Sequence, residues 1–204
     1  MVYRMNYIRF GFERCSESDF ISFWERFYRD LDNKYENHIK HEGLLEAIDI
    51  RHLLEWKNQS KLSGPKRKVA RRAEKELNRF RELRSQPEIS PKDESDFWHT
   101  VSCIVKSGTA WKAFLFHIAR PSEYPILDQH VVRSYYYLST GERREIPKNA
   151  TKEEYLELVK SYGIFFRNLK RMSGKEDREI DRALLCFGQF LKQYPQAFDA
   201  RGFH

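Results

Sequence analysis

Between its few glycines and prolines, the sequence repeats apolar residues at intervals of three and four. The 204 residues include only nine glycines and seven prolines, so long stretches have no residue that breaks a helix. Apolar residues at this spacing share one face of an α-helix, whereas a half-buried strand alternates apolar and polar residues. The pattern therefore predicts an all-α fold. Because 40% of the residues are hydrophobic, the chain can bury a core, which excludes an intrinsically disordered protein.

Several helices can be placed by their apolar stripes and their capping residues. A first helix should follow Ser16 or Ser18, and Thr151 with Glu154 forms a capping box for a later helix. Gly64 and Pro65 open a region that we predict to be one long basic helix. Five apolar residues should share its inner face: Val69, Ala73, Leu77, Phe80 and Leu83.

The longest apolar run has about half of the roughly 20 residues that a bilayer-spanning helix needs. The first residues of the chain, 1–4, also lack the apolar core of a secretory signal. We therefore expect a soluble, cytoplasmic protein that has no membrane partner.

Positive charge is concentrated in one segment of the chain. Residues 57–84 contain eleven lysines and arginines against three glutamates, whereas the rest of the chain is nearly neutral. A local positive field of this kind favours a polyanionic partner, although basic helices are also commonly solvated surfaces. In the first turn of the predicted helix, Lys66, Arg67 and Lys68 oppose the helix dipole, and a bound phosphate would relieve that conflict.

The three cysteines, Cys15, Cys103 and Cys186, are too widely spaced for an iron–sulfur cluster or a zinc site. No histidine pair with carboxylate company indicates a catalytic metal either. We therefore expect no cofactor and no metal centre.

Two neighbouring segments, 104–108 and 124–133, carry a more specific signal. The first reads Ile-Val-Lys-Ser-Gly and leads into a helix, and the second reads Tyr-Pro-Ile-Leu-Asp-Gln-His-Val-Val-Arg. Together they resemble the helix-hairpin-helix superfamily of DNA glycosylases. When Gly108 is placed on the second glycine of the family hairpin, the match continues to Asp128 without a gap. Val105 and Lys106 replace the hairpin's proline and first glycine, so the chain resembles a divergent member without an iron–sulfur cluster.

The resemblance implies a glycosylase that flips a damaged or modified base out of duplex DNA and hydrolyses its N-glycosidic bond. Asp128 would be the catalytic carboxylate, since cleavage builds positive charge on the sugar. Bifunctional members have a nucleophilic lysine where this chain has Ala110, which implies a monofunctional enzyme. Lys112, two residues further on, keeps a lyase activity open.

The resemblance also implies where DNA is bound. The hairpin would hold phosphate through its backbone amides, and often a monovalent cation through its carbonyls. The residues expected to contact DNA are Lys57, Lys66, Arg67, Lys68, Lys106, Ser107, Gly108, Thr109, Lys112 and Arg133. The flipped base needs an aromatic surface, for which Trp56, Trp111 and Tyr135 are the candidates.

The family fold would divide the chain into two helical lobes with the cleft between them. Residues 45–124 would form a middle lobe that ends with the hairpin. Residues 1–44 and 125–204 would form a second lobe from both termini, and Asp128 would lie at the cleft. We expect the enzyme to be a monomer that acts on double-stranded DNA in base excision repair.

Two other interpretations remain open at this point. An aspartate directly after a proline-containing turn is also a common helix N-cap, so the chain could be a helical DNA-binding module that keeps the hairpin scaffold without catalysis. Alternatively, the basic helix could bind an acidic protein partner. That protein would show no affinity for nucleic acid.

Overall fold

The computed structural model describes residues 15–29, 32–39 and 44–194, and the described part of the chain contains helices and no strands. This confirms the all-α fold. The helices are α1 (Glu17–Glu25), α2 (Asp32–Ile39), α3 (Ala47–Asn58), α4 (Gly64–Lys75), α5 (Leu77–Ser85), α6 (Pro91–Ile104), α7 (Thr109–Ala119), α8 (Gln129–Thr140), α9 (Lys152–Ser173) and α10 (Asp177–Gln193).

The local capping signals are confirmed. Ser16 caps α1 by accepting the amide hydrogen of Asp19. Thr151 caps α9, and both hydrogen bonds of its capping box with Glu154 are formed. These caps satisfy backbone donors that have no partner within the helix.

The prediction of one long basic helix after Gly64 is wrong. The backbone leaves the helical conformation at Glu76, whose amide bonds to the carbonyl of Ala73 three residues earlier. The bend separates α4 from α5 and lets α5 pack against α7, with Phe80 and Leu83 fully buried. A turn that is set by tertiary packing leaves no glycine or proline to mark it in the sequence.

The helices fall into two packing groups. One contains α1, α8, α9 and α10, with α10 packed against both α8 and α1. The other contains α2 to α7, with α3 packed against α2 and α4. Although α2 precedes the predicted boundary at residue 45, it packs on α3 of the middle lobe.

A close crossing between α8 and α10 fixes the position of α8. A Cβ atom added to Gly188 would lie 1.9 Å from the carbonyl oxygen of His130, so only glycine allows this approach. Two buried side chains of α8 hold the crossing, since Arg133 donates to the Gly188 carbonyl (2.8 Å) and Ser134 to the Leu184 carbonyl (2.6 Å). The start of α8, where Asp128 lies, is thereby fixed against α10.

Within residues 15–29, 32–39 and 44–194, no helix is both long and apolar enough to cross a bilayer.

Candidate active site

A pocket opens where the end of α3, the start of α8 and the first half of α10 meet. Asp128, Lys57 and Trp56, three of the predicted site residues, line it. The other lining residues are Tyr28, Gln59, Ile126, Val131, Arg178, Asp181, Arg182 and Leu185. The pocket therefore combines side chains from both packing groups.

The two oxygens of Asp128 have different partners. Oδ1 accepts the amide hydrogens of His130 (2.8 Å) and Val131 (2.9 Å), which makes Asp128 the N-cap of α8. Oδ2 accepts a hydrogen bond from Nζ of Lys57 at 3.3 Å. Both side chains are largely shielded, with 11% of Lys57 and 19% of Asp128 exposed. One oxygen is thus used by the helix, and the other lies in an ion pair at the pocket.

The surroundings of Asp128 favour its ionised form. Burial is the largest single influence on the pKa of Asp128, and it raises that pKa. The charge and hydrogen bond of Lys57, the amide of Val131 and the charge of His130 together outweigh burial, so that the pKa is lowered. A carboxylate that carries no proton at neutral pH can stabilise a positive charge or accept a proton from water.

Trp56 forms the aromatic wall of the pocket and is held from behind. Its ring lies 4.7 Å from the ring of Tyr35 and 5.9 Å from that of Phe114. The Tyr35 hydroxyl contacts Nε2 of His117 at 2.6 Å, and Nδ1 of His117 donates to the carbonyl of Tyr124 at 2.7 Å. Burial lowers the pKa of His117 to about 4, so this imidazole is neutral and its Nε2 accepts a hydrogen bond from the Tyr35 hydroxyl.

Two arginines of α10 belong to the pocket and were not predicted from the sequence. The guanidinium of Arg178 lies 4.8 Å from the ring of Tyr35 and 6.0 Å from that of Trp56. Arg182 lies 5.4 Å from the ring of Tyr28. Asp181, between them in the chain, pairs with Arg178 at 3.5 Å. Their spacing along α10 is also that of an ordinary solvated helix face, so no sequence signal distinguishes them.

Two amides of the hairpin are not free for phosphate as the resemblance implies. Gly108 adopts the positive φ of 109° that favours glycine, but its amide and that of Thr109 both donate to the carbonyl of Lys148, at 3.0 and 3.1 Å. The Thr109 side chain is buried, donates to the Pro147 carbonyl (2.6 Å) and accepts from the amide of Ala150 (2.9 Å). These predicted phosphate contacts are therefore occupied within the protein.

Other residues near the hairpin remain accessible. Lys106 and Ser107 are exposed. Lys112 does not line the Asp128 pocket. Its Nζ instead bonds to Ser102 (3.1 Å) and lies 5.0 Å from the ring of Trp98. Burial lowers its pKa. The monovalent cation at the hairpin stays a prediction.

The first turn of α4 borders the end of α3. Lys66 bonds to Asn58, the residue after Lys57, and lies 5.5 Å from the ring of Trp111. Arg67 reaches the carbonyl of Leu62 at 3.4 Å, and Lys68 is exposed. Trp111 thus lies against Lys66 of α4 and does not line the pocket.

Two further predicted residues lie inside the packing group of α1, α8, α9 and α10. Arg133 is 4% exposed and also pairs with Glu145 and with the Gly188 carbonyl. Tyr135 packs edge-on against Tyr162 at 5.8 Å and against Phe165 at 5.2 Å. Neither of them lines the pocket, and their contacts indicate structural roles.

In the part of the chain that is described, no group of three or more His, Cys, Asp or Glu side chains is arranged to hold a metal ion. Comparisons with protein-family models, with curated proteins and with solved structures found no match to this chain.

Proposed function

We propose that the protein is a monofunctional DNA glycosylase that hydrolyses the N-glycosidic bond of a damaged or modified base flipped out of double-stranded DNA. The observation that carries this proposal is the ionised carboxylate of Asp128, which is fixed by two amides beside Lys57 and faces a pocket with an aromatic wall.

The chemistry follows from where charge develops. As the base departs, the sugar acquires positive charge, and a carboxylate beside it stabilises that charge or accepts a proton from the attacking water. Asp128 needs no rearrangement for this role, because the amides of His130 and Val131 already fix its carboxyl plane. Neither step requires a cofactor.

The aromatic wall suits a flipped base. Base flipping requires a surface on which the extruded base stacks, and Trp56 supplies one inside the pocket. Of the three aromatic candidates from the sequence, Trp56 alone lines it. Arg178, near the Trp56 ring, adds hydrogen-bond donors for carbonyl groups on the base edge.

The basic residues that the sequence predicts to contact DNA suit this partner. Lys66 lies next to the end of α3, while Lys68, Lys106 and Ser107 are exposed. Such residues position DNA through its phosphates and do not read its sequence. Binding should therefore weaken steeply as salt rises, because each neutralised phosphate releases counterions.

The positions of Lys57 and Lys112 agree with a monofunctional reaction, in which no lysine attacks the sugar. Lys112 lies outside the pocket, and Lys57 is the ion-pair partner of Asp128. An ammonium group has no lone pair with which to attack the sugar. Lys57 instead keeps Asp128 ionised despite its burial.

The test is base release from a panel of duplexes that each carry one lesion, with strand cleavage by hot alkali as the readout. Asp128→Asn keeps an oxygen for the helix cap but removes the charge, and we expect it to lower the rate by about 100-fold or more while DNA binding persists. Asp96→Asn is the matched control, since this exposed aspartate of α6 lies outside the pocket. Release by Asp128→Asn at the wild-type rate would refute the role of Asp128.

The non-catalytic DNA-binding module is the second candidate, and the cap bonds of Asp128 favour it, since they alone account for an aspartate at this position. It predicts salt-dependent DNA binding by both proteins and base release by neither. A scaffold for an acidic protein partner predicts no DNA binding at any salt concentration.

A further inference from the structure

A second cavity lies between α5, the turn that follows it and the end of α7. Three arginines line it, Arg81, Arg84 and Arg120. None of the described residues that line this cavity is acidic. It shares no lining residue with the Asp128 pocket.

Reciprocal hydrogen bonds hold two of these arginines side by side. Nε of Arg84 donates to the Ile118 carbonyl (3.0 Å), two residues before Arg120. In return, Arg120 donates to the Leu83 carbonyl (2.9 Å), directly before Arg84. Arg81 lies one turn earlier on the same side of α5, where its Nε donates to the Leu45 carbonyl at 2.8 Å.

The positive charges of this cavity exceed the negative charges beside them. Arg120 is paired with Glu123. Within the described parts of the chain, Arg81 and Arg84 have no carboxylate within ion-pair distance. Arg84 destabilises the folded protein more than Arg81 does, because its Nη2 atom is buried without a hydrogen-bond partner and burial lowers its pKa. The charge of Asp49 opposes this lowering from beyond ion-pair distance, so the desolvated cation is only partly compensated, and it destabilises the protein unless an anion binds.

The backbone carbonyls account for only part of the donors. A guanidinium group has five N–H donors, and the hydrogen bonds of Arg81 and of Arg84 to the protein each use Nε alone. These bonds position the two side chains along the wall of the cavity. The terminal nitrogens form the fork that binds oxyanions. Those of Arg81 remain for a ligand, whereas Nη2 of Arg84 is itself buried.

We propose that this cavity binds a phosphate group, either of a small phosphorylated molecule or of a nucleic-acid backbone. Arginine forks match phosphate oxygens in pairs, and a tetrahedral phosphate offers oxygens to several forks that approach from different directions. A planar carboxylate has only two oxygens. Ser122, also in the lining, adds a hydroxyl donor at the mouth of the cavity. This site does not depend on the proposed glycosylase activity.

The test is calorimetric titration of the full chain with inorganic pyrophosphate at constant ionic strength. We expect saturable binding by the wild type, at least about tenfold weaker binding by Arg81→Gln and Arg84→Gln, and less than about twofold change for Arg71→Gln. Arg71 is the matched control because it is an exposed arginine of α4 outside the cavity. Because Arg84→Gln also removes a helix-end contact, Arg81→Gln decides the outcome if circular dichroism shows that the Arg84 variant is unfolded.

The same titrations with a short single-stranded oligonucleotide distinguish the two sources of phosphate. A strand whose binding weakens in Arg81→Gln identifies a nucleic-acid backbone, whereas an effect on pyrophosphate alone identifies a small phosphorylated ligand. The proposal is overturned if the wild type shows saturable binding of neither probe, or if all variants bind both probes as the wild type does.

Discussion

The starts of α7 and α8 were both predicted to carry function, and they satisfy their amides in opposite ways. At α7 the acceptor comes from a distant part of the chain, the carbonyl of Lys148, which takes the hydrogens of both Gly108 and Thr109. At α8 the acceptor is the helix's own cap, Asp128.

The difference determines which helix start keeps a polar atom that can act on a ligand. A carbonyl has one oxygen, and at α7 that oxygen accepts the two amides that the resemblance assigned to a phosphate. A carboxylate has two oxygens, so Oδ1 of Asp128 caps α8 while Oδ2 faces Lys57 and the pocket. The same residue can therefore serve as a structural cap and as a reactive group. Evidence for one role does not exclude the other.

The largest effect should come from acid, through a buried histidine in the last turn of α7. His117 lies on α7 and bonds to Tyr124, in the turn that leads to Asp128. Because its pKa is about 4 when folded and about 6.5 when unfolded, the unfolded chain binds a proton first as the pH falls. The free energy of unfolding should fall by about 3 kcal/mol between pH 6.5 and 4 on this account.

Urea unfolding at several pH values measures this loss. His117→Gln lacks the imidazole and should lose correspondingly less stability over the same range. If both proteins lost the same unfolding free energy between pH 6.5 and 4, His117 would not be the cause of the loss.

A smaller effect is expected at the hairpin. Thr109→Val keeps the shape of the side chain but removes its hydrogen bonds to Pro147 and Ala150, and should cost about 2 kcal/mol of unfolding free energy because both backbone groups lose a partner. Thr100→Val, which removes one bond within α6, should cost less than about 0.5 kcal/mol. If Thr109→Val instead left stability unchanged and weakened DNA binding, the hairpin would be a phosphate site after all.

The smallest effect separates the two roles of Asp128. Asp128→Ala should unfold about 1 kcal/mol more easily than Asp128→Asn, since asparagine caps a helix and alanine does not, while both lack the ion pair with Lys57. Because the pKa of Asp128 is lowered in the folded protein, the advantage of the wild type over Asp128→Asn should be present at neutral pH and lost as the pH falls through that lowered pKa. Unfolding curves of the three proteins check both statements. Equal stability of the two variants would show that the cap contributes nothing.

What the sequence could predict was local. The caps at Ser16, Asp128 and Thr151 depend on neighbours within three residues, so the pattern of the chain contains them. Trp56 and Lys57 were named as site residues, but their place beside Asp128 depends on how α3 meets α8, which no spacing encodes. The closure of the hairpin by Lys148 is equally nonlocal, since a backbone carbonyl can come from any residue type.

The residues that line the pocket lie as far apart in the sequence as Trp56 and Leu185. This separation determines the order in which they can come together during synthesis and folding. While the chain is being synthesised, Lys57 and Asp128 leave the ribosome before α10, which carries the two arginines of the pocket. Contacts between such distant positions close large loops, which is a slow step of folding. The proposed active site should therefore be completed late, when α10 packs on α8 through Gly188, and a chain stalled before that point would carry Lys57 and Asp128 without the residues of α10 that enclose them.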